Sequence, residues 1–147
     1  MRRVIFALVV ALVGGFVCAQ ENPGYTAEDN PFQGEFAFAV GEPVGLHIIL
    51  QGVRLESLTL TTLAEVRAGE KVKCAIVVAG KNTVDKPASV ATALLLEDGD
   101  GKALERVVLD PFKAKSGKDF KNKQQGGIAG DALVAARKVY LFFEIAN

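Results

Sequence analysis

Residues 70–79 read E-K-V-K-C-A-I-V-V-A, and their period decides the fold class. Val72, Cys74, Ile76 and Val78 recur at every second position, with Lys71, Lys73 and Ala75 between them. A period of two sends alternate side chains to opposite faces of an extended chain, so this is a half-buried β-strand. β-Branched Val and Ile suit a pleated surface, and propensity therefore agrees with pattern. Gly69 before the stretch and Gly80-Lys81-Asn82 after it supply turn chemistry. We read it as the central strand of a small sandwich.

Outward from this strand, the same reading repeats in both directions. Phe36, Phe38 and Val40 alternate with Glu35, Ala37 and Ala39, which predicts a first strand at an edge. Leu46-His47-Ile48-Ile49-Leu50 is apolar but for His47, and Val53, Leu55, Leu58 and Leu60 follow with a change of parity between Leu55 and Leu58. A bulge, or a break between two short strands, explains that change. Residues 88–96 form a further strand. Glu97-Asp98-Gly99-Asp100-Gly101-Lys102 is a hairpin signal, because Asp-Gly pairs tolerate positive φ, and residues 104–109 return from it. Residues 111–130 read as a long Lys- and Gly-rich connection with room for one short strand near Phe120. Residues 132–136 suit a strand or a single helical turn. In Lys138–Ile145, Val139, Leu141, Phe143 and Ile145 alternate with Tyr140, Phe142 and Glu144; both faces are largely apolar, which places the strand mid-sheet.

About six to eight short strands with turns between them and almost no helical period predict an all-β, antiparallel two-sheet sandwich. The run A-G-E-K-V-K-C-A-I-V-V-A, the Pro-marked loop, the D-G-x-G hairpin and the terminal K-V-Y-L-F-F-E-I together resemble bacterial immunoglobulin-like or fibronectin III-like domains over residues 44–147. The resemblance implies an immunoglobulin-like sandwich, with Tyr140 at a tyrosine-corner position. The family's core disulfide and its Trp are missing, since the chain has no Trp and only Cys74 beyond the first twenty residues. Domains of this shape serve adhesion, linking, glycan binding or assembly, so fold does not decide function.

The first nineteen residues stand apart. Arg2 and Arg3 precede an apolar run from Val4 to Val17, and Val17-Cys18-Ala19 is a small-residue cleavage pattern. This predicts a signal peptide over residues 1–19, cut after Ala19, and an exported chain, periplasmic or extracellular. A retained membrane helix needs roughly 20 apolar residues, more than this run offers, so no transmembrane segment is expected after cleavage. Val17 sits where a lipoprotein signal needs a small residue, which argues against lipidation at Cys18. Residues 20–34 carry two Asn-Pro steps, two Gly and three acids, and read as a flexible leader. The sandwich domain is then 35–147.

Charge and cysteines narrow the chemistry. Removing Arg2 and Arg3 from 17 basic residues leaves 15 against 17 acids, a net charge of −2. An exported chain so close to neutral is not expected to bind nucleic acid. Cys74, on the apolar side of its strand, is expected to be a buried small hydrophobe. His47 is the only His and has no second ligand at metal spacing, so no metal, cofactor or Ser-His-Asp chemistry is expected. An EF-hand register on Gly101 puts Leu96 first and Val107 twelfth, and fails at both anchoring ligands. Nothing in the sequence supports an enzyme.

The most distinctive polar feature lies between Pro111 and Gln125. Lys113, Lys115, Lys118, Lys121 and Lys123 crowd around one acid, Asp119, with Phe112 and Phe120 interleaved. Such a segment attracts an anionic surface with salt-sensitive affinity, and Lys113, Lys115, Lys118, Phe120, Lys121 and Lys123 are the expected binding residues. Residues 20–70 hold 8 acids and 2 bases while residues 101–147 hold 9 bases and 5 acids, a lopsidedness that favours self-association. The expectation is an exported, non-enzymatic binding or assembly module of the bacterial cell envelope, with an envelope protein or an anionic polymer as partner. The alternative is a small carbohydrate-binding module using Tyr25, Phe32 or Tyr140.

Overall fold

Alternation of Val, Ile and Leu with polar or small residues builds nearly every element of the computed structural model, which describes residues 24–147. The strands are β1 (Thr26–Ala27), β2 (Phe32–Ala37), β3 (Val44–Leu50), β4 (Val53–Thr62), β5 (Lys71–Asn82), β6 (Ala88–Glu97), β7 (Ala103–Val108), β8 (Phe112–Ala114), β9 (Asp119–Ala129) and β10 (Lys138–Ala146). One short helix, α1 (Gly130–Ala135), joins β9 to β10. The first sheet has the order β1-β3-β4-β5-β9; the second has β2-β10-β6-β7, with β8 continuing along the same edge of β6 as β7. All pairings are antiparallel except β1 with β3. The fold is an all-β two-sheet sandwich. The expected signal peptide, residues 1–19, and with it Cys18, lies outside the described residues.

The core is the set of inward positions. Leu50, Leu55, Leu58, Leu60, Ile76 and Val78 from the first sheet meet Leu94, Leu96, Leu141 and Phe143 from the second, all fully buried. Each such side chain contributes about 1.5–3 kcal/mol by leaving water. Cys74 is buried among them and its Sγ lies 3.4 Å from the Val72 carbonyl; burial, with the charge of Glu105, pushes its thiol pKa up.

The parity change in β4 is a bulge. Leu55 and Leu58 are both buried, and the β4–β5 register slips between Leu55 and Ser57. Gly80 opposite makes room: a Cβ there would stand 2.0 Å from the Arg54 carbonyl oxygen. β5 is the longest strand, although it lies next to the β9 edge rather than in the middle of its sheet.

Three expectations change. The second half of the 20–34 leader belongs to the sandwich: β1 pairs with β3, and residues 32–34 open β2, which runs along β10. Asn30 anchors it, its Nδ2 donating to the Ile145 carbonyl at 2.8 Å and its Oδ1 accepting from Ile145 N–H at 2.9 Å. That side-chain amide reproduces a ladder bond, so an Asn-Pro step that reads as a breaker here ties the chain down.

The second change is residues 111–130, which hold β8 and the eleven-residue β9 rather than a long connection. With β1, these raise the count to ten strands among the described residues. β9 does alternate, but Asn122 and Gln124 occupy its inward positions, so hydropathy does not show the period. Gln124 instead bonds the backbone of Asp110, between β7 and β8, and Asn122 Oδ1 accepts from Gln124 Nε2. Tyr140 is the third: it points outward and its hydroxyl donates to the Gln33 Oε1 at 2.8 Å, not to a backbone carbonyl, so it is no tyrosine corner.

Candidate functional site

The expected binding residues are split among three places. Lys113 lies on β8 opposite Ser89, outward from the second sheet. Lys115 and Lys118 flank the tight turn at Ser116-Gly117, where Lys118 N–H donates to the Lys115 carbonyl. Lys121 and Lys123 point outward from β9 on the first sheet. Phe120 turns inward and is half-buried; its ring lies 5.3 Å from that of Phe112 against the core.

What the sheet register does assemble is a cationic face. On β5 the outward positions are Lys71, Lys73, Ala75, Val77, Ala79 and Lys81. On β9 they are Asp119, Lys121, Lys123, Gln125, Gly127 and Ala129, and on β4 Arg54, Ser57, Thr59 and Thr61, with Glu56 in the bulge. Six cations therefore stand against two acids, Glu56 and Asp119. Most side chains between them, among them Ala75, Ala79, Ser57, Thr59, Thr61 and Gly127, are short. None of the six takes part in an ion pair among the described residues, whose salt bridges are Arg67–Glu65 and Lys138–Glu35. Arg54 lies over the Tyr25 ring at 5.1 Å, and the His47 ring centroid stands 5.5 Å from that of Tyr25. His47 has φ 51° at the irregularity in β3 between Gly45 and Ile48, which turns it toward Tyr25.

The second sheet carries the other candidate surface. Two neighbouring rungs cross it: Gln33–Phe142–Ala93–Val108 and Glu35–Tyr140–Leu95–Arg106. Ala93, small between larger neighbours, leaves a shallow cavity of about 320 Å³ lined by Gln33, Leu95, Arg106, Tyr140 and Phe142. Both faces of 138–145 are largely apolar, which in sequence points to a mid-sheet position. β10 is indeed flanked by β2 and β6. In a two-layer sandwich, however, one face of every strand is outward, and that rule alone puts Tyr140 and Phe142 on the surface.

Beside the cavity, Glu97 and Glu35 flank Lys138. Glu97 is 8% exposed and its Oε1 has no hydrogen-bond partner. Two carboxylates cannot bond each other, but a proton on one can, and this shared bond with Glu35, together with burial and the Glu35 charge, raises the Glu97 pKa; Lys138 opposes the shift. In the β6–β7 hairpin, Asp98 Oδ1 accepts from the backbone N–H of Lys102 and of Asp100, both at 2.9 Å, which holds its carboxyl below the ordinary range. That carboxylate is occupied by its own turn. No group of three or more His, Cys, Asp or Glu side chains stands close enough to hold a metal ion among the described residues, and no helix among them is long and apolar enough to cross a membrane.

No protein-family model matches this chain, and no curated protein does either.

Proposed function

We propose that this chain is an exported, non-enzymatic binding or assembly module of the bacterial cell envelope, immunoglobulin-like in character, that holds an anionic polymer or an acidic envelope protein against the outer face of its first sheet. One observation supports this most: Arg54, Lys71, Lys73, Lys81, Lys121 and Lys123 share one outward face without an ion pair among the described residues. Unpaired cations at fixed spacing on a rigid sheet attract an extended polyanion with little ordering cost, and salt weakens the attraction. Lysines on an outermost strand such as β9 also hinder edge-to-edge pairing with another copy, which favours a foreign polyanion over self-association.

Retention on a dextran sulfate column tests the reading. The wild-type protein should be retained at low salt and released as salt rises. Replacement of Lys73, Lys81, Lys121 and Lys123 by Ser should abolish retention, while replacement of Lys113 and Lys115 should not. Equal loss in both variants would move the site to the β8–β9 turn.

A second reading, a small carbohydrate-binding module, draws on the outward Tyr140 and Phe142 with Gln33 beside them. Aromatic faces with one polar arm suit the apolar face of a sugar ring.

A further inference from the structure

We propose that the cavity on the outer face of the second sheet binds a carboxylate carried on a ring with an apolar face. Its floor is apolar: Ala93 and Leu95 of β6 with Phe142 and the body of Tyr140 on β10. Arg106 is the one charged residue that lines it, across β6 from Tyr140 and opposite Leu95. Its guanidinium takes part in no ion pair and no side-chain hydrogen bond among the described residues. The neighbouring cation, Lys138, is paired with Glu35 at 3.5 Å.

These groups specify an occupant with two ends. An unpaired guanidinium is a planar fork of N–H donors matched to a carboxylate, and it discriminates against neutral groups. Phe142 and Leu95 offer surface to an apolar ring face. Gln33 adds a fixed donor, because Tyr140 donates to its Oε1 and leaves the amide N–H groups free for the ligand. At about 320 Å³ the cavity stands at the small end of ligand pockets, which run roughly 300–1,000 Å³, and so suits one ring rather than a chain of them. A sugar acid and an aryl acid share this chemistry. The first would narrow the carbohydrate reading; the second would stand without it.

Calorimetric titration of the purified protein with sodium glucuronate, sodium phenylacetate, glucose and 2-phenylethanol separates these cases. At least one acid should bind saturably, about tenfold or more tighter than its neutral counterpart, and should shift the ring resonances of Tyr140 and Phe142 but not those of Phe112. Arg106→Gln should lose that tenfold, and Arg106→Lys, which keeps the charge without the fork, should lose part of it. Lys113→Gln, on the same outer face, should bind as the wild type does. Preference for glucuronate identifies a sugar acid and preference for phenylacetate an aryl acid. The assignment fails if neither acid saturates or if folded Arg106→Gln binds like the wild type. Glucose binding as tightly as glucuronate would also sink it while leaving the carbohydrate reading in place.

Discussion

Gln124 bonds both backbone groups of Asp110: its Nε2 donates to the Asp110 carbonyl at 2.7 Å and its Oε1 accepts from Asp110 N–H at 2.8 Å. One side chain thus acts as a strand-to-strand rung between the edge of the first sheet and the β7–β8 corner of the second. The carboxylate of Glu105 does the same further along, accepting from Ala129 N–H at 2.9 Å. The open side of the sandwich is closed by side chains where backbone pairing cannot reach.

Gln124→Ala removes these two bonds and the one to Asn122 at a partly exposed site, and the expected cost is about 1–3 kcal/mol, since each such bond contributes about 1 kcal/mol net. Urea unfolding should show a lower midpoint with an unchanged slope. Because β9 carries Lys121 and Lys123, the variant should also weaken polyanion binding.

Gly80 and Gly126 make a matched pair. A Cβ at Gly80 would meet the Arg54 carbonyl oxygen at 2.0 Å and the Phe120 ring at 2.7 Å, whereas one at Gly126 would meet nothing within 4 Å. Gly80→Ala must displace backbone at the β4 bulge and should destabilise by about 1–3 kcal/mol or more. Gly126→Ala should be neutral or slightly stabilising. Equal effects in thermal unfolding would contradict the close approach at the bulge.

Asn82 is fully buried at the end of β5. Its Nδ2 donates to the carbonyls of Lys86 and Ala114, both at 2.9 Å, and its Oδ1 accepts from Val84 N–H at 3.0 Å. Asn82→Ala leaves three backbone groups without a partner and should cost about 3 kcal/mol or more. Hydrogen exchange at Val84 and around β8 should accelerate more than exchange in β10.

The Glu97 carboxyl titrates above its ordinary value of 4.5 when folded, through its bond with Glu35 and its burial. Above pH 4.5 the folded state therefore holds more protons than the unfolded one, so this group's contribution to stability falls as pH rises toward its folded pKa. Glu97→Gln keeps the protonated shape at every pH. Its stability relative to the wild type should grow as pH rises from about 4 to about 8, as read from urea midpoints. A constant difference would show that the two carboxyl groups do not share a proton.

The sandwich is legible in the sequence wherever apolar residues carry the period. Val72, Cys74, Ile76 and Val78 mark β5, and the parity change between Leu55 and Leu58 marks the β4 bulge, because both depend on burial of hydrocarbon. β9 is not legible on that basis, since Asn122 and Gln124 fill its inward positions and act by hydrogen bonding. The edge strand β2 is legible from Phe36 onward, but β1 and residues 32–34 are hidden for a related reason, Asn30 having replaced a ladder bond. The lysines crowd together in sequence, but strand alternation divides them between faces. The partners of Lys121 and Lys123 on the cationic face come from β5 and β4, about 40 residues or more away in the chain, and only sheet register brings them together.

The most direct measurement for the cationic face is a residue-resolved amide and side-chain NMR titration of the wild-type protein with dextran sulfate at low and moderate salt. Shifts are expected at Lys73, Lys81, Lys121 and Lys123 that diminish as salt is added, with Tyr140, Phe142 and Arg106 unmoved. Shifts confined to the second sheet, or shifts indifferent to salt, would contradict this expectation.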